Sequence, residues 1–298
     1  MAERRVFAIL VRAPQEKASA RILIESIRAF GGGLRDCPVW IFETNPHGAP
    51  CHDLADNRVE IFSLTVPSAL RDYPFADKVL ACAQAEALAS STVQSLICVD
   101  PVYLFVHPPV LFDLGAEFDA AVRPVHVRNV GLGVAEPLDE YWQAIYASVG
   151  VRDAVLTVES FVDAQPLRAY FNTHAFAVNP QRGLLARWRD VFAALVDDAD
   201  FQARACADER HRLFLFQAIF SALLSASIDA RRIRLVPPTY NYPFNLHARV
   251  PSERRAWTLN DLVGVVYEGR TLDPGMLNDV VVAEPLRAWL AKRVAPID

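Results

Sequence analysis

The stretch Ser95–Asp113, SLICVDPVYLFVHPPVLFD, decides how the fold is read. Its first five residues, Ser95–Val99, form a continuous apolar run of the kind buried on both faces of a parallel sheet. The run stops at a carboxylate, Asp100, followed at once by Pro101. In open α/β sheets, ligands bind just outside the carboxyl ends of the strands, often where the strand order reverses. An acid at that place is positioned to meet a ligand or a metal. The bland reading is a turn, because Asp before Pro favours turn initiation.

On the amino-terminal side, the pattern alternates between strand and helix. Val6–Val11, Pro38–Glu43 and Val59–Val66 read as strands, and Ala18–Phe30 and Phe75–Ser90 as helices. Ile22, Leu23, Ile27 and Phe30 fall at helical spacing along the first helix. Gly31–Gly33 follows a helix and lacks a downstream Gly-Lys pair, so it is a helix stop rather than a phosphate loop. Four strands interleaved with two helices make a Rossmann-like nucleotide-binding half. On the carboxyl-terminal side the spacing predicts strands at Phe118–Val122, Val125–Val127, Ala175–Val178, Ile233–Val236 and Val263–Tyr267. Helices are predicted at Leu138–Val149, from Pro180 to Val196, from Asp208 to Ala226 and over Glu284–Val294. The expected architecture is a single α/β domain over 1–298, with a mixed central sheet flanked by helices. Its first half, 1–113, has the nucleotide-binding pattern, and its second half, 114–298, a mixed strand order.

Composition narrows the function classes. Apolar residues make up 52% of 298 and charged residues 22%, which suits a chain with a sizeable core. A net charge of −5 argues against sequence-independent nucleic-acid binding, which needs a basic face. The longest apolar stretch, Val102 to Phe112, is interrupted by His107, Pro108 and Pro109, so no transmembrane segment is expected and the protein is expected to be cytoplasmic. The five cysteines, Cys37, Cys51, Cys82, Cys98 and Cys206, form no Cys-x-x-Cys pair and read as reduced thiols. Cys51 lies near His47, His52 and Asp53, but no second ligand cluster at zinc-site spacing accompanies them, and a polar loop is the expectation.

Three further segments complete the pattern: Tyr170-Phe-Asn-Thr-His174, Asp208-Glu209, and Tyr240-Asn-Tyr-Pro243. Together with Lys78 and Asp100, and in this order, they resemble the sugar-nucleotide glycosyltransferases of the GT-A fold over about residues 4 to 270. In that family a strand ends in Asp-x-Asp, whose carboxylates hold a divalent cation against the sugar donor's diphosphate. The chemical reason is that a nucleoside diphosphate leaves with developing negative charge that must be stabilised. Magnesium or manganese does so with one or two carboxylates and phosphate oxygens. Here the tripeptide is Asp100-Pro101-Val102, a degenerate form with one acid. The late strand, which in the family ends in a metal-binding histidine, ends in Tyr267, and the glycine of the family's Tyr-Phe-Asn-Ser-Gly segment is His174.

The resemblance implies a UDP- or GDP-linked sugar donor and an acceptor to be identified, with Arg12, Lys78 and Asp100 holding the sugar donor. Asn172, Thr173 and His174 would face the sugar or the acceptor, with His174 a candidate base beside an acid. Asp208 or Glu209 would be the acid near the anomeric carbon, and Tyr240 and Arg128 further substrate contacts. Arg123, His126 and Arg128, along a strand past Asp100, could form a basic wall that replaces the metal; a solvated face is the alternative. Asp100 is the one candidate metal ligand, and manganese or magnesium is expected to be dispensable. Two rival expectations stand beside transfer: a catalytically silent member that binds a nucleotide or a partner protein, and an enzyme repurposed to another kind of donor.

Overall fold

The computed structural model describes residues 4–44, 51–154, 156–267, 272 and 280–293. Its centre is a seven-stranded mixed sheet. In chain order its strands are β1 (Arg5–Val11), β2 (Val39–Glu43), β3 (Val59–Ser63), β4 (Ser95–Val99), β6 (Ala120–Pro124), β9 (Phe171–Val178) and β10 (Ile233–Leu235). Their spatial order is β10-β6-β9-β4-β1-β2-β3. Strands β4, β1, β2 and β3 are mutually parallel, and β9 alone runs antiparallel to both its neighbours, β4 and β6. The order reverses between β1 and β4, so the crevice at their carboxyl ends lies where Val11 passes into Arg12 and Val99 into Asp100.

Both faces of this sheet are covered, which is why β1 and β4 read as unbroken apolar runs. Val6, Ala8, Leu96 and Cys98 point into a core shared with helices α2 (Ala76–Leu88), α3 (Glu140–Ser148), α4 (Leu184–Asp197) and α6 (Glu209–Ser227). Phe7, Ile9, Ile97 and Val99 point the other way, against α1 (Pro14–Phe30). Leu23 and Ile27 of α1 join that second core, whereas Ile22 and Phe30 pack against a third. That third core lies under a small sheet of β5 (Tyr103–Phe105), β11 (Tyr242–Pro243) and β12 (Gly264–Val266), in the order β11-β12-β5. A hairpin of β7 (Thr157–Glu159) and β8 (Pro166–Arg168), the short helix α5 (Ala199–Arg204) and the closing helix α7 (Leu286–Ala291) complete the described elements.

Several sequence expectations need correction. Val125–Val127 is not a strand: β6 ends at Pro124, and the chain then turns so that Phe161 and Val162 donate to the Val125 and His126 carbonyls. Strand β9 starts four residues earlier than Ala175, paired on both sides. Pro180 opens only a single turn, because Gly183 at φ +62° breaks it before α4 begins. Strand β3 stops at Ser63, and α1 begins at Pro14, where proline costs the helix no hydrogen bond. Strand β5 was hidden inside the apolar run after Asp100. It pairs with β12 across Gly264, where a Cβ would come within 2.2 Å of the Tyr103 hydroxyl oxygen, so only glycine allows the two strands to meet there.

Candidate active site

Four elements converge on Asp100. The carboxylate leaves the end of β4, and its backbone N–H donates to the His174 carbonyl on β9 at 2.7 Å. Lys78, in the first turn of α2, reaches it from below: its ammonium lies 2.7 Å from Oδ1 and 2.8 Å from Oδ2, and donates also to the Thr173 carbonyl at 2.8 Å. His174 Nδ1 lies 2.9 Å from Oδ2. Burial pushes the Asp100 carboxyl up, but Lys78, His174 and Arg12 together hold it well below the usual carboxylate range. It is therefore ionised, and the facing His174 nitrogen must be the hydrogen-bond donor.

The supporting contacts are dense. Asn172 accepts the His174 backbone N–H at 2.8 Å through its side-chain oxygen, two residues away within β9. His126 is stacked against His174 at 6.2 Å between ring centroids, and its Nε2 lies 2.6 Å from the Asn241 carbonyl oxygen. Burial, His174 and Arg123 lower the His126 pKa to about 3, so this ring is neutral and Nε2–H donates to that carbonyl. Asn241, at φ +50°, is held from three directions: its N–H donates to the Tyr103 hydroxyl at 3.1 Å, its side-chain amide to the Ala175 carbonyl at 2.8 Å, and its carbonyl accepts from His126. Its Oδ1 is buried without a partner. Asn241 was missed by sequence reasoning, although it sits in the Tyr240-Asn-Tyr-Pro243 segment. The neighbour chosen there, Tyr240, instead packs on Phe112 and accepts the Leu111 N–H at 3.0 Å, a structural role.

Arg12 lies at the matching position beyond β1. Its Nε donates to Asp77 at 2.8 Å, its backbone N–H is received by Glu16 at 2.6 Å, and its guanidinium sits 5.5 Å over the Phe75 ring. Burial opposes its charge, but Asp77, Asp100 and Glu16 raise its pKa overall. Its Nη2 is buried and has no partner. Phe75, the residue before α2, adopts φ +60° and stacks on Phe216, which also lies under the Lys78 ammonium at 5.7 Å. A left-handed conformation at an aromatic residue is uncommon and marks a locally strained backbone beside the crevice.

Other expected site residues lie elsewhere. Asp208 caps α6, accepting the His211 N–H at 3.0 Å and contacting its ring, and Glu209 is exposed in the first turn. Among the described residues no hydrogen bond or ion pair joins either acid to the Asp100 cluster. Arg128 forms a bidentate pair with Glu136 at 2.8 and 2.5 Å at the protein surface, so it does not share a face with Arg123 and His126. The basic wall fails because the strand it required ends at Pro124. Around Cys51, Asp53 is paired with Lys17 at 2.5 Å and Arg21 at 2.6 Å, consistent with a polar loop; His47 lies outside the described residues.

The cation site of the Asp-x-Asp frame can be tested against its own residues. The Tyr267 N–H donates to the Val102 carbonyl at 3.1 Å, so the two positions that lack the expected ligands are neighbours. Val102 has no donor atom, and burial pushes the Tyr267 phenol up to about 12, which keeps it protonated. Both Asp100 oxygens already face the Lys78 ammonium, and no group of three His, Cys, Asp or Glu among the described residues could hold a metal. These residues do not fit a divalent cation.

The fold, with nucleotide-type crevice and strand-end acid, is that of a GT-A glycosyltransferase. The chain belongs to the Rhodobacterales glycosyltransferase domain family, whose model matches residues 7–221. Among solved structures it is similar to the galactosyltransferase LgtC in complex with donor and acceptor sugar analogs, at 12% identity and TM-score 0.55, over 98% of this chain and 97% of that one. An active-site mutant of LgtC aligns over the same shares at 12% identity and TM-score 0.53. At this identity the likeness is one of fold. No curated protein matches the sequence. No helix among the described residues is long and apolar enough to cross a membrane.

Proposed function

We propose that this glycosyltransferase moves a sugar from a nucleoside diphosphate to an acceptor hydroxyl without a metal held between carboxylates. The observation that carries this reading is the cluster at the β1/β4 crevice, where Asp100 is clamped by Lys78 and His174 and Arg12 keeps an unpartnered Nη2. In the reaction the bond from the anomeric carbon to the diphosphate breaks, a bond to the acceptor oxygen forms, and the acceptor proton must leave. Arg12 is the cation best placed to meet the diphosphate, since a guanidinium matches phosphate oxygens in geometry as well as charge. Lys78 has its hydrogen atoms directed at Asp100 and Thr173, so it acts by fixing Asp100 rather than by touching phosphate. Asp100 in turn orients the His174 ring through Nδ1, as an orienting acid does for a general base.

The test is a panel of UDP- and GDP-sugars, followed by nucleotide binding and by slow release of nucleoside diphosphate into water. At least one sugar nucleotide should bind and be hydrolysed, and Arg12→Met should weaken the diphosphate more than the nucleoside. Neither binding nor hydrolysis across the panel would defeat this reading. The silent-binder alternative would then stand, with Asp100 a carboxylate satisfied wholly within the protein.

A further inference from the structure

We infer that the acceptor carries an oxyanion, a carboxylate or a phosphate, and that Arg123 and Arg254 receive it in a pocket beside the Asp100 cluster. This inference rests on the transfer reading above and names its substrate class. The pocket, of about 300 Å³, is lined by Arg123, Glu159, Ser160, Phe161, Pro238 and Arg254. Arg123 stands near the end of β6 and is only 5% exposed. Among the described residues nothing accepts a hydrogen bond from its guanidinium, and its Nε is buried without a partner. Its guanidinium lies 5.0 Å from the centre of the Phe161 ring. The second cation, Arg254, is paired with Glu159 at 2.8 Å and donates to the Phe161 carbonyl at 3.2 Å.

A buried charge without a counter-charge is expensive, and proteins seldom keep one unless something binds it. Burial and the neighbouring Arg254 lower the Arg123 pKa to about 10, and no acid opposes them. The group nonetheless stays charged at neutral pH. Two guanidiniums against a single exposed carboxylate leave the pocket with a net positive charge, and their flat forks suit a carboxylate or phosphate.

The location fits the acceptor side. Arg123 is paired in register with Asn172 across β6 and β9, and Asn172 accepts the N–H of His174. The chain just after β6 carries His126, which stacks on His174. The pocket is therefore at the same end of the sheet as Asp100, but on the far side of β9 from the crevice where Arg12 stands. An anion held there would present its own hydroxyls toward His174 without competing for the diphosphate position.

The experiment measures binding of three matched probes, glucuronate, glucose 6-phosphate and methyl glucoside, to the full chain with and without UDP and GDP. Wild type should bind at least one anionic probe about tenfold or more tighter than the neutral one, the range for a charge-assisted contact. The stronger of the two probes identifies carboxylate or phosphate as the acceptor's group. Arg123→Met keeps side-chain length and removes the charge; it should abolish the preference, leave nucleotide affinity unchanged and hold or raise Tm. Arg254→Gln, at a more exposed site, should reduce the preference and guards against a misfolded first variant. Equal binding of all probes by wild type overturns the inference, as does a preference that survives Arg123→Met. So does a fall in Tm with equal loss for charged and neutral probes, which would make Arg123 a packing residue. Nucleotide binding without anion preference defeats this inference alone, whereas anion preference without nucleotide binding defeats the transfer reading and leaves the pocket standing.

Discussion

Two carboxylates, Asp119 buried and Asp100 half-buried, sit at opposite ends of the central sheet and are neutralised in different ways. Asp119, just before β6, is received by Arg232 at 2.6 and 3.0 Å, by Arg182 at 2.8 Å and by the Asn179 amide at 3.2 Å. Its backbone also ties β10 to the end of β9, through the Arg232 carbonyl and the Asn179 N–H. Asp100, at the carboxyl end of β4, is held instead by an ammonium and an imidazole. Guanidiniums stay protonated at every accessible pH and grip both carboxylate oxygens in a fixed plane. An imidazole is a smaller, single-point partner that grips one oxygen through one ring nitrogen. The first arrangement is a fork-and-plane staple, and the second is looser in geometry. Strand direction places only the second where ligands enter.

Substituting each acid separates these roles. Asp100→Asn should lower sugar-nucleotide turnover by at least about a hundredfold, comparable to losing one electrostatic stabiliser. It also leaves the Lys78 ammonium buried without its counter-charge, so a fall in stability of a few kcal/mol is expected as well. Rates must therefore be normalised to folded protein. Turnover within tenfold of wild type would reduce Asp100 to a second staple and remove the distinction.

Asp119→Asn should do the reverse, costing about 2 kcal/mol in denaturant unfolding while turnover per folded molecule stays near wild type. Burial raises the Asp119 carboxyl, but Arg232 and Arg182 bring it down to about 2. A depressed acid contributes stability that is complete above its unfolded value near 4 and is lost as pH falls from there toward 2. The variant should accordingly show a flatter stability profile between pH 4 and 2. An unchanged slope would mean that Asp119 is paired equally well in the unfolded chain.

Much of this contrast could be read from residues alone, and the remainder shows what sequence withholds. The end of β4 and the acid after it were legible because a parallel strand buried on both faces must be apolar throughout, and Asp100 ends that run. Lys78, Asn172 and His174 came from segment order, and the structure gathers all three around Asp100. Arg128 lies apart because its placement assumed that the strand ran on to it, and nothing local in Pro-Val-His-Val announces that β6 ends at Pro124. Asp208 lies apart from the cluster for a different reason: an acid before a helix satisfies capping and family pattern equally, and only the fold shows its oxygens on the N–H and ring of His211. Asn241 and the isolation of Arg123 depend on contacts between segments far apart in the chain, which periodicity does not carry.

A smaller effect is expected at Lys78. Because its ammonium helps hold the Asp100 carboxyl down, Lys78→Met should move the titration of that carboxyl, followed by NMR, to higher pH. The sign follows from losing a neighbouring cation, which leaves the upward push of burial less opposed. Nucleoside diphosphate affinity should fall less than about tenfold, since the ammonium faces Asp100 and Thr173. A larger loss, confined to the diphosphate and absent for the nucleoside, would show instead that Lys78 contacts phosphate directly.

The smallest effect expected is that of removing divalent metal. In the Asp-x-Asp arrangement the cation is held by the protein and by phosphate together, so stripping it should weaken nucleotide binding strongly. Here Val102 offers no ligand atom, Tyr267 beside it remains a protonated phenol, and Asp100 already bears an ammonium within 2.7 Å. A divalent cation arriving at Asp100 would have to displace or closely approach that like charge, with one carboxylate to hold it. The affinity of UDP or GDP should then change by less than about tenfold, or roughly 1.4 kcal/mol, between EDTA and millimolar manganese. The Arg12→Met variant sharpens the comparison: if side-chain cations replace the metal, manganese should restore little of the diphosphate affinity that this variant loses. Tightening by a hundredfold or more in wild type on adding manganese would show that Asp100 does recruit a metal, and that its clamp by Lys78 opens when nucleotide binds.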